Sequence, residues 1–342
     1  MKSYEEAAEI KAIIDDSKTI VIVQADNPDT DSLASALALE SVLAAQGKEV
    51  YLYCGVDMPS YLHHLPGWGR VSKDLPKQFD ASIIVDTSSD ILLEQLEKNG
   101  GKSWLAARPS IILDHHASEP TISFAKVILH PKAVSTGEII YELARQFGWQ
   151  LDKEAKDLIA MSILSDSLGL MSESTSPRSI NIIAELVEQG VNLPQLESAR
   201  RETFRREPEL IHYKGELLKR VEFYNDNKIA MLSIPWEEIE RYSALYNPSM
   251  LVIDDMRLAR GTALAICFKL YPDKKITAKI RANYGWEIAD KLAEHFGGGG
   301  HPLASGFKVI DGRSFAQVKK ETTEVAAKLI SELEERQAYE TV

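Results

Sequence analysis

The sequence predicts an α/β fold: an N-terminal parallel sheet with helices on both faces, a helical linker, and a smaller α+β domain. Three observations carry this. Short apolar runs alternate with helix-like runs through the first half of the chain. Those short runs are apolar at successive positions, the pattern of strands covered on both faces. Beyond residue 216 the alternation gives way to paired strand-like runs around turn residues. A chain of 342 residues is long enough for two domains, here read as 1–192 and 216–342 with a linker over 193–215.

Met1–Asp16 reads as a polar amphipathic helix. Thr19–Val23 is the first strand, and Asn27-Pro28-Asp29-Thr30-Asp31 turns it into the helix-like run Ser32–Leu39. Gly47 suits a helix end before the second strand, Lys48–Cys54. Ala81–Val85 is a third strand, ending on Asp86. Ser110–Leu113 is a fourth, ending on Asp114-His115-His116. Three helices follow: Ser135–Gly148 with a capping-box start, Lys153–Ser165 running into Asp166, and Pro177–Gln189 with Gly190 behind it. Leu193–Lys219 mixes both charge signs and has little glycine, which predicts a helical connector. Its Arg200, Arg201, Arg205 and Arg206 read as an ion-paired face, or as a basic lip over a cleft. Two hairpins come next, Val221–Asn225 with Lys228–Ile234 and Gly261–Tyr271 with Lys274–Ala282. A helix over Trp286–Phe296 precedes Gly297-Gly298-Gly299-Gly300-His301.

Lysine and arginine number 39 against 51 aspartates and glutamates, a net charge of −12. That sign argues against a long duplex bound along a broad surface. It leaves room for a short anionic substrate held by local cations and metals. Cys54 and Cys267 lie in apolar strand-like runs and read as buried thiols. With no signal-peptide pattern and no apolar run of membrane-spanning length, a reduced cytoplasmic protein without a membrane partner is expected.

Several segments end on chemistry. Asp29 and Asp31 follow the first strand, Asp86 the third, Asp114, His115 and His116 the fourth, and Asp166 closes a helix. Taken alone, Asp31 reads as a helix N-cap and Asp29 as a turn residue. Repetition at the ligand-binding ends of an open sheet is hard to assign to solubility. Carboxylate oxygen with imidazole nitrogen suits a borderline-hard divalent ion such as Mn²⁺, with Mg²⁺ or Co²⁺ as alternatives. The four carboxylates Asp29, Asp31, Asp86 and Asp166 are balanced by two such ions. Asp86 is the candidate bridge between them. Of His115 and His116, one can ligate while the other faces a phosphate as donor or general acid. Asp114 is placed to fix a ring tautomer. His63 and His64 have no acid neighbour in Pro59–Leu65 and read as structural. Gly297, Gly298, Gly299 and Gly300 allow backbone N–H groups to approach an anion, with His301 adding a hydrogen bond. Arg281 is a further anion clamp, or a surface arginine.

Asn-Pro-Asp-Thr-Asp, Asp86, Leu113-Asp114-His115-His116, Ser165-Asp166-Ser167 and Gly297–Phe307 occur in one order. This set resembles the DHH/DHHA1 phosphoesterases, most closely the bacterial nanoRNase and pAp-phosphatase branch. The resemblance covers nearly the whole chain. It implies a DHH catalytic domain with a di-manganese site, a linker, and a DHHA1 substrate-binding domain. It places Asp29 on one ion, Asp31, His115 and Asp166 on the other, and Asp86 on both. It sets His116 against the scissile phosphate, and Arg281 with the Gly297–His301 segment against the nucleotide. Two positions depart from the family pattern. Ala25 stands where a ligating histidine is usual, leaving Asp26, Gln24 or water to fill in. Met171 stands where a substrate-binding arginine is usual.

The leading expectation is therefore hydrolysis of very short oligonucleotides, linear dinucleotides such as pApA, or pAp by a hydroxide that two metal ions activate. The partners are short RNA or DNA oligonucleotides or dinucleotides, and a homodimer is consistent with the resemblance. The alternatives are a catalytically weakened nucleotide binder and a RecJ-like single-strand exonuclease.

Overall fold

Six parallel strands form the first sheet of the computed structural model, which describes residues 3–202 and 205–340. They are β1 (Thr19–Gln24), β2 (Glu49–Cys54), β3 (Val71–Ser72), β4 (Ala81–Val85), β5 (Ser110–Leu113) and β6 (Val127–Leu129). Their order is β3-β2-β1-β4-β5-β6, so the chain winds one way from β1 and the other way from β4. The topological switch point lies between β1 and β4, where open sheets of this kind bind ligands beyond the strands' carboxyl ends. The strands β3 and β6 are additions to the four read from sequence; at two and three residues they are too short to show a period.

The apolar runs have partners on both sides, as expected. Ile20, Ile22, Ile83 and Ile111 face a core shared with α1 (Ala7–Asp16), α2 (Thr30–Ala45), α5 (Thr136–Phe147), α6 (Lys153–Asp166) and α7 (Pro177–Glu188). Val21, Val23, Ile84 and Ile112 face a second core with the short helices α3 (Glu94–Lys98) and α4 (Gly101–Ala106). The first helix of the sequence reading included residues 1 and 2, which lie outside the described residues.

Two local readings need correction. The N-cap of α2 is Asp29, whose Oδ1 accepts from Ser32 N at 3.0 Å, while Asp31 sits within the first turn. The cap of α5 is Ser135, but the Glu138 carboxylate reaches back to Val134 N at 3.3 Å. The connector is two helices, α8 (Leu193–Glu202) and α9 (Pro208–Lys219); residues 203 and 204, part of that connector reading, lie outside the described residues. Glu197 holds both Arg200 and Arg201, each at 2.7 Å, which is the ion-paired reading of this stretch.

The chain divides into two compact units, Met1–Arg205 and Arg206–Val342. The second contains a mixed sheet of β7 (Glu222–Tyr224), β8 (Ile229–Ile234), β9 (Leu264–Leu270), β10 (Ile276–Ala282), β11 (Gly299–His301) and β12 (Ala304–Val309), ordered β11-β12-β10-β9-β8-β7. Both expected hairpins are present. The crossover from β8 to parallel β9 carries α10 (Trp236–Tyr242) and α11 (Ile253–Arg257). On one face these and α9 pack over Ala230, Leu232, Ala265 and Cys267. On the other, α12 (Ala289–His295) and α13 (Phe315–Glu340) pack over Ile266, Phe268, Ile280 and Phe307. The glycine run is not a free loop: its last three residues form β11, the edge strand paired with β12.

Cys54 and Cys267 are free, buried thiols. The His63 ring stacks on Trp68 at 3.6 Å, a packing role. Among the described residues no helix is long and apolar enough to cross a membrane.

Candidate metal centre

Asp31 is the most heavily supported of the site's carboxylates. It is fully buried in the first turn of α2, and its oxygens accept hydrogen bonds from three helices. Ser35 Oγ reaches it from one turn along α2 at 2.9 Å. Thr136 N and Gly137 N reach it from the start of α5 at 2.8 and 3.4 Å. Ser162 Oγ reaches it from α6 at 2.5 Å. Free N–H groups at a helix start carry partial positive charge. They hydrogen-bond to Asp31 where water cannot reach it.

Asp86 follows β4 in a left-handed conformation (φ 61°), unusual outside glycine but best tolerated by Asp and Asn. Its N–H is pinned to Leu113 O at 2.9 Å, and Thr136 Oγ1 donates to its Oδ1 at 3.2 Å. Asp166 comes from the last turn of α6, one turn beyond Ser162. His115 follows β5. Its Nε2 lies 3.4 Å from Asp31 Oδ2, 3.3 Å from Asp86 Oδ1 and 3.3 Å from Asp166 Oδ2.

That nitrogen is buried and forms an aligned hydrogen bond with none of them. Burial alone would lower the His115 pKa; Asp166, Asp86 and Asp31 overcome it and raise it to about 11. Burial, then the Asp31 charge, pushes Asp86 well above the usual carboxylate range, and burial also raises Asp166. Three carboxylates around one imidazole leave excess negative charge in a low-dielectric place. A divalent cation resolves it. The ligand atoms of Asp31, His115 and Asp166 lie within 4.8 Å of one another, as do those of Asp86, His115 and His116. The oxygen and imidazole donors fit a borderline-hard divalent ion.

Asp114 orients the second histidine. Its Oδ1 accepts from His115 N at 2.8 Å, from His116 N at 3.2 Å and from His116 Nδ1 at 2.7 Å. Burial would raise Asp114, but the His116 ring, the Ser88 hydroxyl and the His116 N–H bring it down to about 2. A carboxylate has no proton to give, so Nδ1 of His116 carries the proton. His116 is half exposed at the rim.

With this geometry in view, residues 19–163 match the profile of the DHH family, N-terminal domain. They are a DHH-family domain. Over 280 residues, 82% of this chain and 81% of the relative, the chain is 25% identical to the bifunctional oligoribonuclease and PAP phosphatase NrnA of Thermus thermophilus. It is 22% identical over 297 residues to the Bacillus subtilis protein of the same name, covering 85% of this chain and 89% of that one. Its fold is similar to that of an exopolyphosphatase-related protein from Bacteroides fragilis, with 21% identity, a TM-score of 0.77, and 95% and 97% of the two chains covered. RecJ of T. thermophilus, solved in complex with Mn²⁺, matches at 17% identity and a TM-score of 0.50 over 95% of this chain and 54% of RecJ.

The DHH domain thus gathers Asp31, Asp86, His115 and His116, with Asp166 three residues past the matched stretch. Asp29 stands beside them but is engaged as the α2 cap; partial desolvation and the Asp31 and Asp166 charges raise its pKa. Both neighbours of Ala25 are engaged elsewhere. Asp26 turns its carboxylate to Gln95 N at 2.8 Å, at the start of α3. Gln24 Oε1 accepts from Ser32 Oγ at 3.4 Å. Arg281 lies on β10 of the second unit, its Nη1 on Ile280 O at 3.0 Å, and Gly299, Gly300 and His301 are exposed on β11, just after Gly298.

Sequence reasoning missed the residues that hold Asp31. Ser135-Thr136-Gly137-Glu138 was read only as a cap, although a helix start is also an anion site. The spacings Asp31/Ser35 and Ser162/Asp166 were available as one-turn pairs. Gly137 matters for a second reason: a Cβ there would lie 2.1 Å from Ser162 Oγ and 2.7 Å from its Cβ. Gly137→Ala is expected to drive Ser162 off Asp31, weaken Mn²⁺ binding about 10- to 100-fold, and destabilise the fold by about 1–3 kcal/mol. Calorimetric Mn²⁺ titration and urea denaturation of the variant read the two effects.

Proposed function

We propose that this chain is a divalent-metal-dependent phosphoesterase acting on very short oligonucleotides, linear dinucleotides such as pApA, or pAp. The observation that carries the reading is the convergence of Asp31, Asp86 and Asp166 on the buried Nε2 of His115. The names of the two relatives, oligoribonuclease and PAP phosphatase, support this substrate class, and both align over more than four fifths of this chain.

Asp31, Asp86, His115 and Asp166 would hold one ion, proposed as Mn²⁺. A second would draw on Asp29 and Asp86. Bound ions of this kind polarise phosphoryl oxygens and lower the pKa of water. The protein's own work is positioning. Thr136, Gly137, Ser35 and Ser162 keep Asp31 fixed in place. Asp114 accepts the Nδ1–H of His116 and favours the protonated ring, whose Nε2–H would then serve as a donor to a phosphate or a leaving oxygen. In the second unit, Arg281, Gly298, Gly299, Gly300 and His301 are proposed to bind the nucleotide's phosphate.

The test is mononucleotide release from RNA of two to five nucleotides with Mn²⁺. Wild type is expected to release product and Asp86→Ala to release none. Release no greater than that of the variant overturns the reading. A second reading, a nucleotide binder with crippled turnover, is favoured by Ala25 and by the engagement of Asp26 elsewhere. Tight calorimetric binding of pApA with no turnover would select it.

A further inference from the structure

Three neighbouring strands of the first sheet stop on polar side chains in one row. β4 is followed by Asp86, β5 by Asp114 and β6 by His130. The first two already have roles at the metal centre; His130 has none. Its place follows from the register. β5 and β6 run parallel with Leu113 opposite Leu129, and Asp114 N donates to Leu129 O at 3.1 Å. Asp114 and His130 are therefore neighbours on the next rung. Pro131 behind His130 biases that residue toward extended backbone, so the histidine continues the line of β6 before the chain turns toward α5.

The two side chains complement each other. His115 N, His116 N and His116 Nδ1 all converge on Oδ1 of Asp114. Oδ2 of the same carboxylate is buried without a hydrogen-bond partner among the described residues. So is Nε2 of His130, 3.8 Å away. A buried acceptor left unpaired is costly, most of all when charged, and a pKa of about 2 keeps Asp114 ionised. An imidazole, neutral or charged, can carry a proton on Nε2. The separation exceeds hydrogen-bond length by about 1 Å, which a small side-chain rotation or one bridging water closes. The buried Ser88 hydroxyl also faces Asp114 without an aligned bond, and a carboxylate oxygen has room for both donors.

We propose that His130 is a positioning residue: its Nε2–H donates to Asp114 Oδ2, directly or through one water, so that the carboxylate is held at both oxygens and aims His116 at the reacting phosphate. Anchored at one oxygen only, the carboxylate can turn about its Cβ–Cγ bond, a soft torsion, and take the His116 ring with it. Anchored at both, it keeps the ring in one orientation. Partners that orient a site's side chains in this way are typically worth about 10- to 100-fold in activity. The proposal rests on the phosphoesterase reading for the phosphate that His116 faces, and not for the contact between His130 and Asp114.

The test uses the full chain. In proton NMR without metal, the Nδ1–H of His116, identified by its loss in His116→Gln, should give a downfield line in wild type. The line should broaden or vanish in His130→Leu and return in His130→Gln, whose side-chain amide N–H reaches about as far as the imidazole Nε2–H. With Mn²⁺ and pApA, His130→Leu should lower kcat about tenfold with KM little changed, and His130→Gln should recover most of the loss. A crystal structure of wild type decides the contact without any variant: Nε2 should lie within about 3.2 Å of Oδ2, or one water should bond to both. A line unchanged in His130→Leu, equal losses of kcat in His130→Leu and His130→Gln, or the two atoms apart with no bridging water overturns the proposal. Failure of wild type to hydrolyse pApA would instead sink the phosphoesterase reading, and the NMR line and the crystal structure would still score the contact.

Discussion

Asp31→Asn is expected to abolish the response to metal while leaving the metal-free protein at least as stable as wild type. The substitution keeps the size of the side chain and one acceptor oxygen for Ser35 Oγ and Ser162 Oγ; it gives up the bond from Thr136 N to the other oxygen, about 1 kcal/mol that the relieved repulsion offsets. It removes one of the three negative charges crowded around His115 Nε2. Repulsion in the metal-free state therefore falls. In wild type, Mn²⁺ at a hundredfold its Kd should add about 2.7 kcal/mol of stability. In the variant that gain should vanish. Turnover of short RNA should fall by about 10³-fold, the rate equivalent of several kcal/mol of lost charge stabilisation in the transition state. Thermal unfolding with and without Mn²⁺ reads the first effect and nucleotide release the second. A variant that unfolds more easily without metal, or keeps the Mn²⁺ increment, would show that Asp31 is an ordinary buried structural carboxylate.

The site's members were legible because each stands where a strand or helix stops, and buried strands announce their ends. Val85 and Leu113 are the last of uninterrupted apolar runs, so the polar residues behind them had to lie at the sheet's rim. The support around Asp31 was not legible, because nothing in a linear pattern says that the start of α5 approaches the start of α2 closely enough for N–H donation. That closeness depends on Gly137 and Ser162 meeting across two helices, which is a packing fact. Exchange of the cap from Asp31 to Asp29 has a similar origin: both can cap, and the helix begins at Thr30 because Asp31 is claimed by α5 and α6. The glycine run carried no strand signal of its own. Glycine has low strand propensity, yet Gly299–His301 is ordered as a strand by the ladder that Ala304–Val309 offers it.

Away from the site, Arg178→Met should produce the largest loss of stability. Glu142, on α5, is fully buried, and Arg178 of α7 is its ion-pair partner through Nε. The same guanidinium holds Glu185 at 2.9 Å, and Tyr141 OH donates to Glu185 at 2.6 Å. Removing the arginine leaves the buried Glu142 without its ion-pair partner, which costs about 3 kcal/mol. The double variant Glu142→Leu/Arg178→Met should recover most of it, because apolar groups of similar volume replace a buried pair at little cost. The pH dependence has a definite sign. The Tyr141 hydroxyl, then Arg178, hold Glu185 below the usual glutamate range. A depressed carboxylate contributes stability above its unfolded pKa and loses it as pH falls through the lower folded value. The gap between wild type and Arg178→Met should therefore be full at neutral pH and narrow below about pH 4. Urea titrations of the three proteins at pH 7 and at acid pH would measure it. An equal gap at both would mean that Arg178 acts through packing rather than charge.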